Sequence, residues 1–350
     1  MKQLLPRHHL LLDLLAFHGR LSNVQAKAAL EGQYGPLSRT TVVRDFEVLL
    51  SAGLVVKTGR GRSVGYALPK QSLLLRYFDP SLYFQSDLDQ RSIVERFNFE
   101  VFDALNTTLF SGAELKHLKA LTKAYQKRRK ALTPREFQKE MERLTIELSW
   151  KSSQIEGNTY SLLDTEALIK ENREAPGHTR EETQMIRNHK RALDYIFAHP
   201  AGYKTLSVSK IEDIHRLLMT DLEIDHGLRK RLVRITGTRF KPLDNTHQIK
   251  DALQKTCTLV NRYADPFHQA FATILLISYI QPFIDGNKRT GRITGNALLH
   301  AHDACPLSYR SIDAVDYKEA ILLFYEQNSV RYFKDLFLSQ YQFSVENYFG

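Results

Sequence analysis

The chain has 350 residues, 43% of them hydrophobic and 25% charged, with a mean hydropathy of -0.35. This fits a globular chain of two or three domains and excludes a fibre or a disordered tail. A formal charge of +10 favours a polyanionic partner such as nucleic acid or nucleotide phosphate, and two cysteines, Cys257 and Cys305, are too few for a disulfide framework.

A reducing cytoplasm is the expected location. The leucine-rich amino terminus is interrupted by Arg7, His8, His9 and Asp13, and no small-residue cleavage site follows, so no signal peptide is expected. The longest apolar run, residues 270–280, is well short of the roughly 18 residues a membrane span needs. No membrane partner is expected.

Residues 1–70 hold ten basic side chains, Lys2, Arg7, Arg20, Lys27, Arg39, Arg44, Lys57, Arg60, Arg62 and Lys70, against four acids, so this fifth of the chain carries +6 of the +10. Leu10, Leu11, Leu14, Leu15 and Phe17 predict a first helix ended by Gly19. Ser22 caps a second helix through Ala29, with Gly32 and Gly35-Pro36 breaking the pattern. Ser38 caps a third, closed by Gly53, whose Val42, Val43, Phe46, Leu49 and Leu50 form the apolar face, while Arg39, Thr40, Thr41 and Arg44 lie mostly elsewhere. Two strands, 54–56 and 64–68, are joined by a basic, glycine-rich tip. Three helices and a basic hairpin resemble a winged helix-turn-helix domain. That resemblance implies binding to double-stranded DNA, with Arg39, Thr40, Thr41 and Arg44 toward bases and sugar-phosphate and Arg60 and Arg62 as wing contacts. The alternative is a small dimerisation or docking module with a solvated basic face.

Residues 71–130 read as a helical connector, with a turn at Phe78-Asp79-Pro80-Ser81, a helical pattern over 93–105, and a solvated helix end at Lys127-Arg128-Arg129-Lys130. Thr133-Pro134-Arg135-Glu136 is a capping box with proline at the first helical position. Phe137, Met141, Leu144 and Leu148 give that helix one apolar stripe, and it runs into Ser152-Ser153-Gln154-Ile155-Glu156-Gly157. Glu156 beside a helix-ending glycine sits at the negative end of the helix dipole, so a positive partner is expected.

Residues 268–280 read as a buried helix, ended by Pro282 and followed by an Asp285-Gly286 turn. The next helix then opens with Lys288, Arg289 and Arg292. Cations oppose the positive dipole end, but cations together with free backbone N–H groups make a phosphate site. Asp285 offers the hard oxygen that Mg²⁺ prefers when it also bridges phosphates. Arg289 and Arg292 share a helix face and can hold phosphate oxygens, and Asn287 can donate to another. A DG turn leading into a basic surface helix is the bland reading.

The run 281–292, Gln-Pro-Phe-Ile-Asp-Gly-Asn-Lys-Arg-Thr-Gly-Arg, resembles the signature loop of the Fic (Fido) family, and Ser152-x-x-x-Glu156-Gly157 is similar to that family's inhibitory motif. The segment from Gly227-Leu228-Arg229 to Phe240-Lys241-Pro242 looks like its strand-forming flap, about 227–245, which docks target segments. The resemblance implies a mainly α-helical core at 161–345 with a short β-hairpin flap, preceded by an inhibitory helix region at 131–160. It implies AMP transfer from Mg²⁺-ATP to a Ser, Thr or Tyr hydroxyl of a protein target. By that resemblance Asp285 holds the metal, Gly286, Asn287 and Lys288 cradle the phosphates, Arg289 and Arg292 neutralise them, and Glu156 reaches Arg292 to block the γ-phosphate, within one chain or across a homodimer.

The family's first signature residue is a histidine that serves as general base; here it is Gln281, which cannot titrate. Loss of a base removes roughly 10²–10⁴ of rate while positioning and charge neutralisation remain. His247, His268, His300 and His302 fall outside the loop and are not expected to replace it. Three readings stay open: a slow or silent AMP transferase restrained by Glu156, a nucleotide-sensing pseudoenzyme regulating transcription, and a related phosphoryl or de-AMPylation chemistry.

Overall fold

The computed structural model describes residues 5–52, 54–69 and 73–349, without the side chains of Ala16, Phe17 and Arg62. The expectations placed on Lys2, Gly53 and Lys70, and on the Phe17 and Arg62 side chains, lie outside the described residues. The chain divides into two compact units, Met1–Arg76 and Tyr77–Gly350.

In the first unit, α1 (Pro6–His18), α2 (Asn23–Tyr34) and α3 (Arg39–Ser51) are followed by an antiparallel hairpin of β1 (Val56–Thr58) and β2 (Gly65–Ala67). Ser22 and Ser38 cap α2 and α3 by accepting from Gln25 N and Thr41 N. α2 runs through Gly32 to Tyr34, further than expected; one glycine costs a helix only ~1 kcal/mol, and the stop falls at Gly35, with φ of 75°. β1 is shifted two residues along from the expected 54–56, and β2 is shorter than the expected 64–68. Leu21, between α1 and α2, adds a one-residue bridge to Tyr66 through N–H···O bonds of 2.9 and 2.7 Å. The core gathers Leu11, Leu15, Leu30, Val42, Phe46 and Leu49, and Phe46 stacks on Tyr66 at 3.8 Å.

The second unit is helical: α4 (Pro80–Tyr83), α5 (Glu100–Leu105), α6 (Gly112–Ala131), α7 (Pro134–Ile155), α8 (Leu162–Glu171), α9 (Arg180–Ala198), α10 (Val208–Leu218), α11 (Thr246–Arg262), α12 (Pro266–Ile280), α13 (Asn287–Ala301), α14 (Ala314–Gln327) and α15 (Arg331–Asn347). The expected turn at 78–81 is instead the start of α4, because Asp79 caps it by accepting from Ser81 N at 3.0 Å. The pattern over 93–105 yields a helix only from Glu100. Upstream, backbone groups bond elsewhere: Val94 N donates to Glu326 O, Asn98 N to the Tyr279 hydroxyl, and Glu95 O accepts from Lys241 N. At the end of α6, Arg129 pairs with Asp303 at 3.0 Å and Arg128 donates to Val345 O, so that basic run is only partly solvated.

At the centre, α12 is buried along almost its whole length and packs against α13. Two glycines permit the approach: a Cβ at Gly291 would lie 3.2 Å from Ile274 O, and one at Gly295 would lie 2.8 Å from Ile274 Cγ1. Residues 227–245 are mostly irregular, where strand formation was expected. Their one bridge is Arg96 to Lys241, and no second strand lies alongside to complete a ladder among the described residues. None of the described helices is long and apolar enough to cross a membrane.

Candidate anion site at the start of helix α13

Helix α12 ends at Gln281, a left-handed residue with φ of 51° whose N–H still donates to Ile277 O at 3.1 Å. Residues 282–286 turn the chain into α13, and Gly286 provides its N-cap at φ 76°. A Cβ at Gly286 would also meet Met219 Cε at 2.5 Å, so glycine serves both backbone and space. The first-turn N–H groups of α13 have no intrahelical acceptors. They open onto a cleft of about 530 Å³ lined by Glu156, Arg234, Gln281, Asp285, Lys288 and Lys318, among others.

The loop is shaped by Asn287, whose Oδ1 accepts from Phe283 N at 2.8 Å and whose Nδ2 donates to Phe283 O at 2.9 Å and Gln281 Oε1 at 3.0 Å. Its side-chain donors are therefore used inside the loop, which corrects the expectation that they face a phosphate. Gln281 Nε2 donates to Ser278 O at 2.6 Å and to the Tyr325 hydroxyl at 3.2 Å. The Gln281 amide is thus held at both ends. Arg229, 3% exposed, donates from Nε to Gln281 O at 2.6 Å and staples the 227–245 segment to the loop.

Three cations converge here. Arg292 is fully buried; it donates to Ser152 Oγ at 2.8 Å, Ser152 O at 2.9 Å and Glu156 Oε1 at 2.8 Å, and lies over the Tyr317 ring at 5.1 Å. Lys288 Nζ reaches Glu156 Oε2 at 2.9 Å. Arg289 donates to Asp285 Oδ2 at 2.6 Å, but its Nε and Nη1, like Nη1 of Arg292, are buried without a hydrogen-bond partner among the described residues. Unpaired buried guanidinium donors beside a helix N-terminus suit an anion.

Glu156 closes α7, and Gly157, at φ 99°, turns the chain away. The positive partners expected from its place at a helix end are Arg292 and Lys288, reached within a single chain. Burial pushes the Glu156 carboxyl up, but Arg292 and Lys288 outweigh it and hold the pKa down at about 2. Ser152 also bonds His189 Nε2 at 2.7 Å. Burial, reinforced by Arg292 and Arg289, keeps the His189 pKa far below the ordinary histidine value.

Two histidines of the site were not foreseen from sequence. His189 braces Ser152, and His215 stacks on Phe283 at 3.7 Å and bonds Asp285 O through Nε2 at 3.1 Å, with burial lowering its pKa to about 4. Neither lies near a motif in the chain. Tyr317 and Tyr325, also unforeseen, had a faint signal: with Ile321 they recur every four residues along α14. His247, His268, His300 and His302 do not line the cleft; His268, for one, is held by Asp265 at 2.7 Å at the far end of α12.

In the first unit, Arg39, Thr40 and Arg44 are exposed on α3. Thr41 is half-buried and its Oγ1 shares a 2.9 Å hydrogen bond with Ser38. Arg60 is exposed at the hairpin tip. Arg7 is tied to buried Asp45 at 2.7 Å, so not every base of this unit is free.

The first turn of α13, the three cations beside it and the adjoining cleft form one candidate anion site. Residues 205–299 match the Fic/DOC family, and the chain carries a Fic/DOC family domain. It is 26% identical over 179 residues to the protein adenylyltransferase Fic of Nematostella vectensis, covering 49% of this chain and 41% of that protein. To the protein adenylyltransferase fic-1 of Caenorhabditis elegans it is 25% identical over 150 residues, covering 41% of this chain and 30% of that one. The chain thus matches less than half the length of these curated relatives. The fold is similar to a crystal structure of a Fic domain containing signaling protein from Bacteroides thetaiotaomicron, with a TM-score of 0.56, 20% identity, and coverage of 67% of this chain and 94% of that one.

Proposed function

We propose that the second unit binds Mg²⁺-ATP in the manner of a Fic-type protein adenylyltransferase, with AMP transfer to a protein hydroxyl slow or silent because Gln281 stands where a base is needed. The observation that carries this reading is the set of unpaired Arg289 and Arg292 donors at the start of α13, beside cations that Glu156 now occupies. In this reading the N–H groups of Gly286, Asn287 and Lys288 and the side chains of Lys288, Arg289 and Arg292 hold phosphate oxygens. Asp285 is 57% exposed and its Oδ1 has no hydrogen-bond partner among the described residues, which also hold no group of three metal-binding side chains. That fits a Mg²⁺ bound by one carboxylate together with phosphates and water, supplying charge neutralisation. Glu156 competes with the phosphates for Lys288 and for Arg292, which is also held by Ser152, itself bonded to His189.

Gln281 accepts and donates hydrogen bonds but takes no proton. A histidine there would tolerate the left-handed backbone, a region in which histidine is enriched. Labelled ATP incubated with the parent, Gln281→His, Glu156→Gly and the double variant tests this reading: the double variant should label protein fastest, by at least about 10²-fold over Glu156→Gly alone. Labelling by the parent as fast as by Gln281→His would overturn the argument about the base.

The second reading, a nucleotide-sensing regulator without transferase activity, is favoured by the Gln281 amide, which is hydrogen-bonded on both sides rather than aimed into open space. For the first unit we propose a winged-helix module that binds double-stranded DNA in the cytoplasm, supported by the exposed Arg39, Thr40, Arg44 and Arg60. Two buried free thiols, Cys257 and Cys305, suit a reducing compartment.

A further inference from the structure

A separate cleft of about 770 Å³ opens between the first three turns of α7 and helices α8, α9 and α13. It shares no lining residue with the cleft at the start of α13. Its volume falls in the roughly 300–1,000 Å³ range of small-molecule sites. Its apolar lining comes from three helices: Phe137 and Met141 of α7, Ile169 of α8 and Phe197 of α9. Two rings and a thioether suit an aromatic guest, through ring stacking and sulfur–ring contact.

The polar groups are separated along the cleft. Arg135 and Lys139, in the first turns of α7, are exposed and have no hydrogen-bond or ion-pair partner among the described residues. Glu136, between them, is not in the lining and is committed to the Thr133 cap. Of the other charged lining groups, Lys190 and Asp194 pair with each other at 2.5 Å. Glu142 leaves the lining with one net positive unit, at the positive dipole end of α7. At the other end of the set, His300 closes the last turn of α13, edge-on to the Phe197 ring at 4.9 Å. Its Nδ1 is buried without a hydrogen-bond partner among the described residues. Burial lowers the His300 pKa and favours the neutral ring. A hydroxyl, which both donates and accepts, satisfies that nitrogen in either tautomer.

We infer that this cleft binds a small aromatic anion carrying a hydroxyl, with its carboxylate on Arg135 and Lys139, its ring between Phe137 and Phe197, and its hydroxyl on His300. Such a ligand bridges the three helices whose packing seats Glu156 on Arg292. α7 carries Ser152 and leads into Glu156, α9 carries His189, which bonds Ser152, and α13 carries Arg292. Bridging them favours the arrangement in which Glu156 holds Arg292, so the ligand lowers affinity for Mg²⁺-ATP, and ATP lowers affinity for the ligand by the same factor. This regulatory effect rests on the proposed nucleotide site; the binding does not.

The test is calorimetry on the full chain with three probes: a hydroxynaphthoate, a naphthoate lacking the hydroxyl, and a naphthol lacking the carboxylate. The hydroxynaphthoate should bind about tenfold more tightly than the naphthol. That gap should vanish in the double variant Arg135→Glu, Lys139→Glu. His300→Phe should erase the advantage of the hydroxynaphthoate over the naphthoate, and Ala198→Trp, which fills the cleft, should weaken all three probes. Equal affinity for hydroxynaphthoate and naphthol overturns the inference, as does binding that both the double variant and Ala198→Trp leave intact. Self-association of the chain in sedimentation, abolished by Ala198→Trp and with no probe bound, assigns the cleft to a second copy and overturns it too. Saturating hydroxynaphthoate should weaken Mg²⁺-ATP binding by about fivefold or more in the parent and have no such effect in Glu156→Gly. An unchanged ATP affinity in the parent overturns the regulatory role. Absence of Mg²⁺-ATP binding in both chains strikes the nucleotide reading instead, and the probe ranking still decides the site.

Discussion

Replacing Glu156 by Gln or Gly removes the carboxylate that holds Arg292 and Lys288. The carboxyl lies at about 2 against an ordinary 4.5, which corresponds to roughly 3 kcal/mol of preference for the ionised form at one pKa unit per 1.36 kcal/mol. A phosphate arriving in the parent must displace a partner bound by that much; in the variant it meets the two cations unopposed. The affinity for Mg²⁺-ATP, measured by calorimetry, should rise about 10- to 100-fold in both variants. The apo variants should lose about 3 kcal/mol of stability and unfold at lower temperature, because a buried guanidinium loses its counter-charge. Saturating ATP should restore that loss. Since the folded-state pKa is depressed, the contribution of the ion pair is present above about pH 4.5 and disappears only as pH falls toward 2. The affinity gap between parent and variant should then be constant from pH 5 to 9. Equal ATP affinity of parent and variants, or a gap that closes by pH 6, would refute the reasoning.

Gly286→Ala should cost about 1–2 kcal/mol, from its φ of 76° and the approach to Met219 Cε. Thermal unfolding of Gly286→Ala with and without Met219→Ala separates the two: the second change recovers only the steric part, and an unaltered midpoint in Gly286→Ala would contradict this account. His189→Ala should loosen Ser152 and raise ATP affinity, by less than Glu156→Gln does; calorimetry giving the parent value would show that His189 only fills space. For the first unit, salt titrations of duplex binding should show the log–log slope falling by about 0.9 for each phosphate contact removed in Arg39→Ala, Arg44→Ala and Arg60→Ala. A slope unchanged in all three would remove the case for a DNA interface.

Local chemistry made much of this architecture legible. The capping residues Ser22, Ser38 and Thr133 fix helix starts through bonds to N–H groups three residues away, so a short window of sequence contains the whole cause. The same holds for the turn at Asp285-Gly286 and the cationic opening of α13. What escaped depends on distant partners. The stretch before Glu100 has a helical pattern but bonds to Glu326, Tyr279 and Lys241, far away in the chain. His189 and His215 join the site only because α9 and α10 pack against α7 and α13. Asn287 is a residue type that can hold a phosphate, but both its amide hydrogens are committed to the loop. Gln281 was legible as a missing base, whereas its clamping by Ser278, Tyr325 and Asn287 was not.

The most direct test of the anion site is a crystal structure of Glu156→Gly with Mg²⁺ and a non-hydrolysable ATP analogue. The account predicts phosphates at the N-terminus of α13, with Arg289 and Arg292 turned onto their oxygens and the metal against Asp285. A nucleotide bound elsewhere, or an empty cleft at saturating analogue, would contradict it.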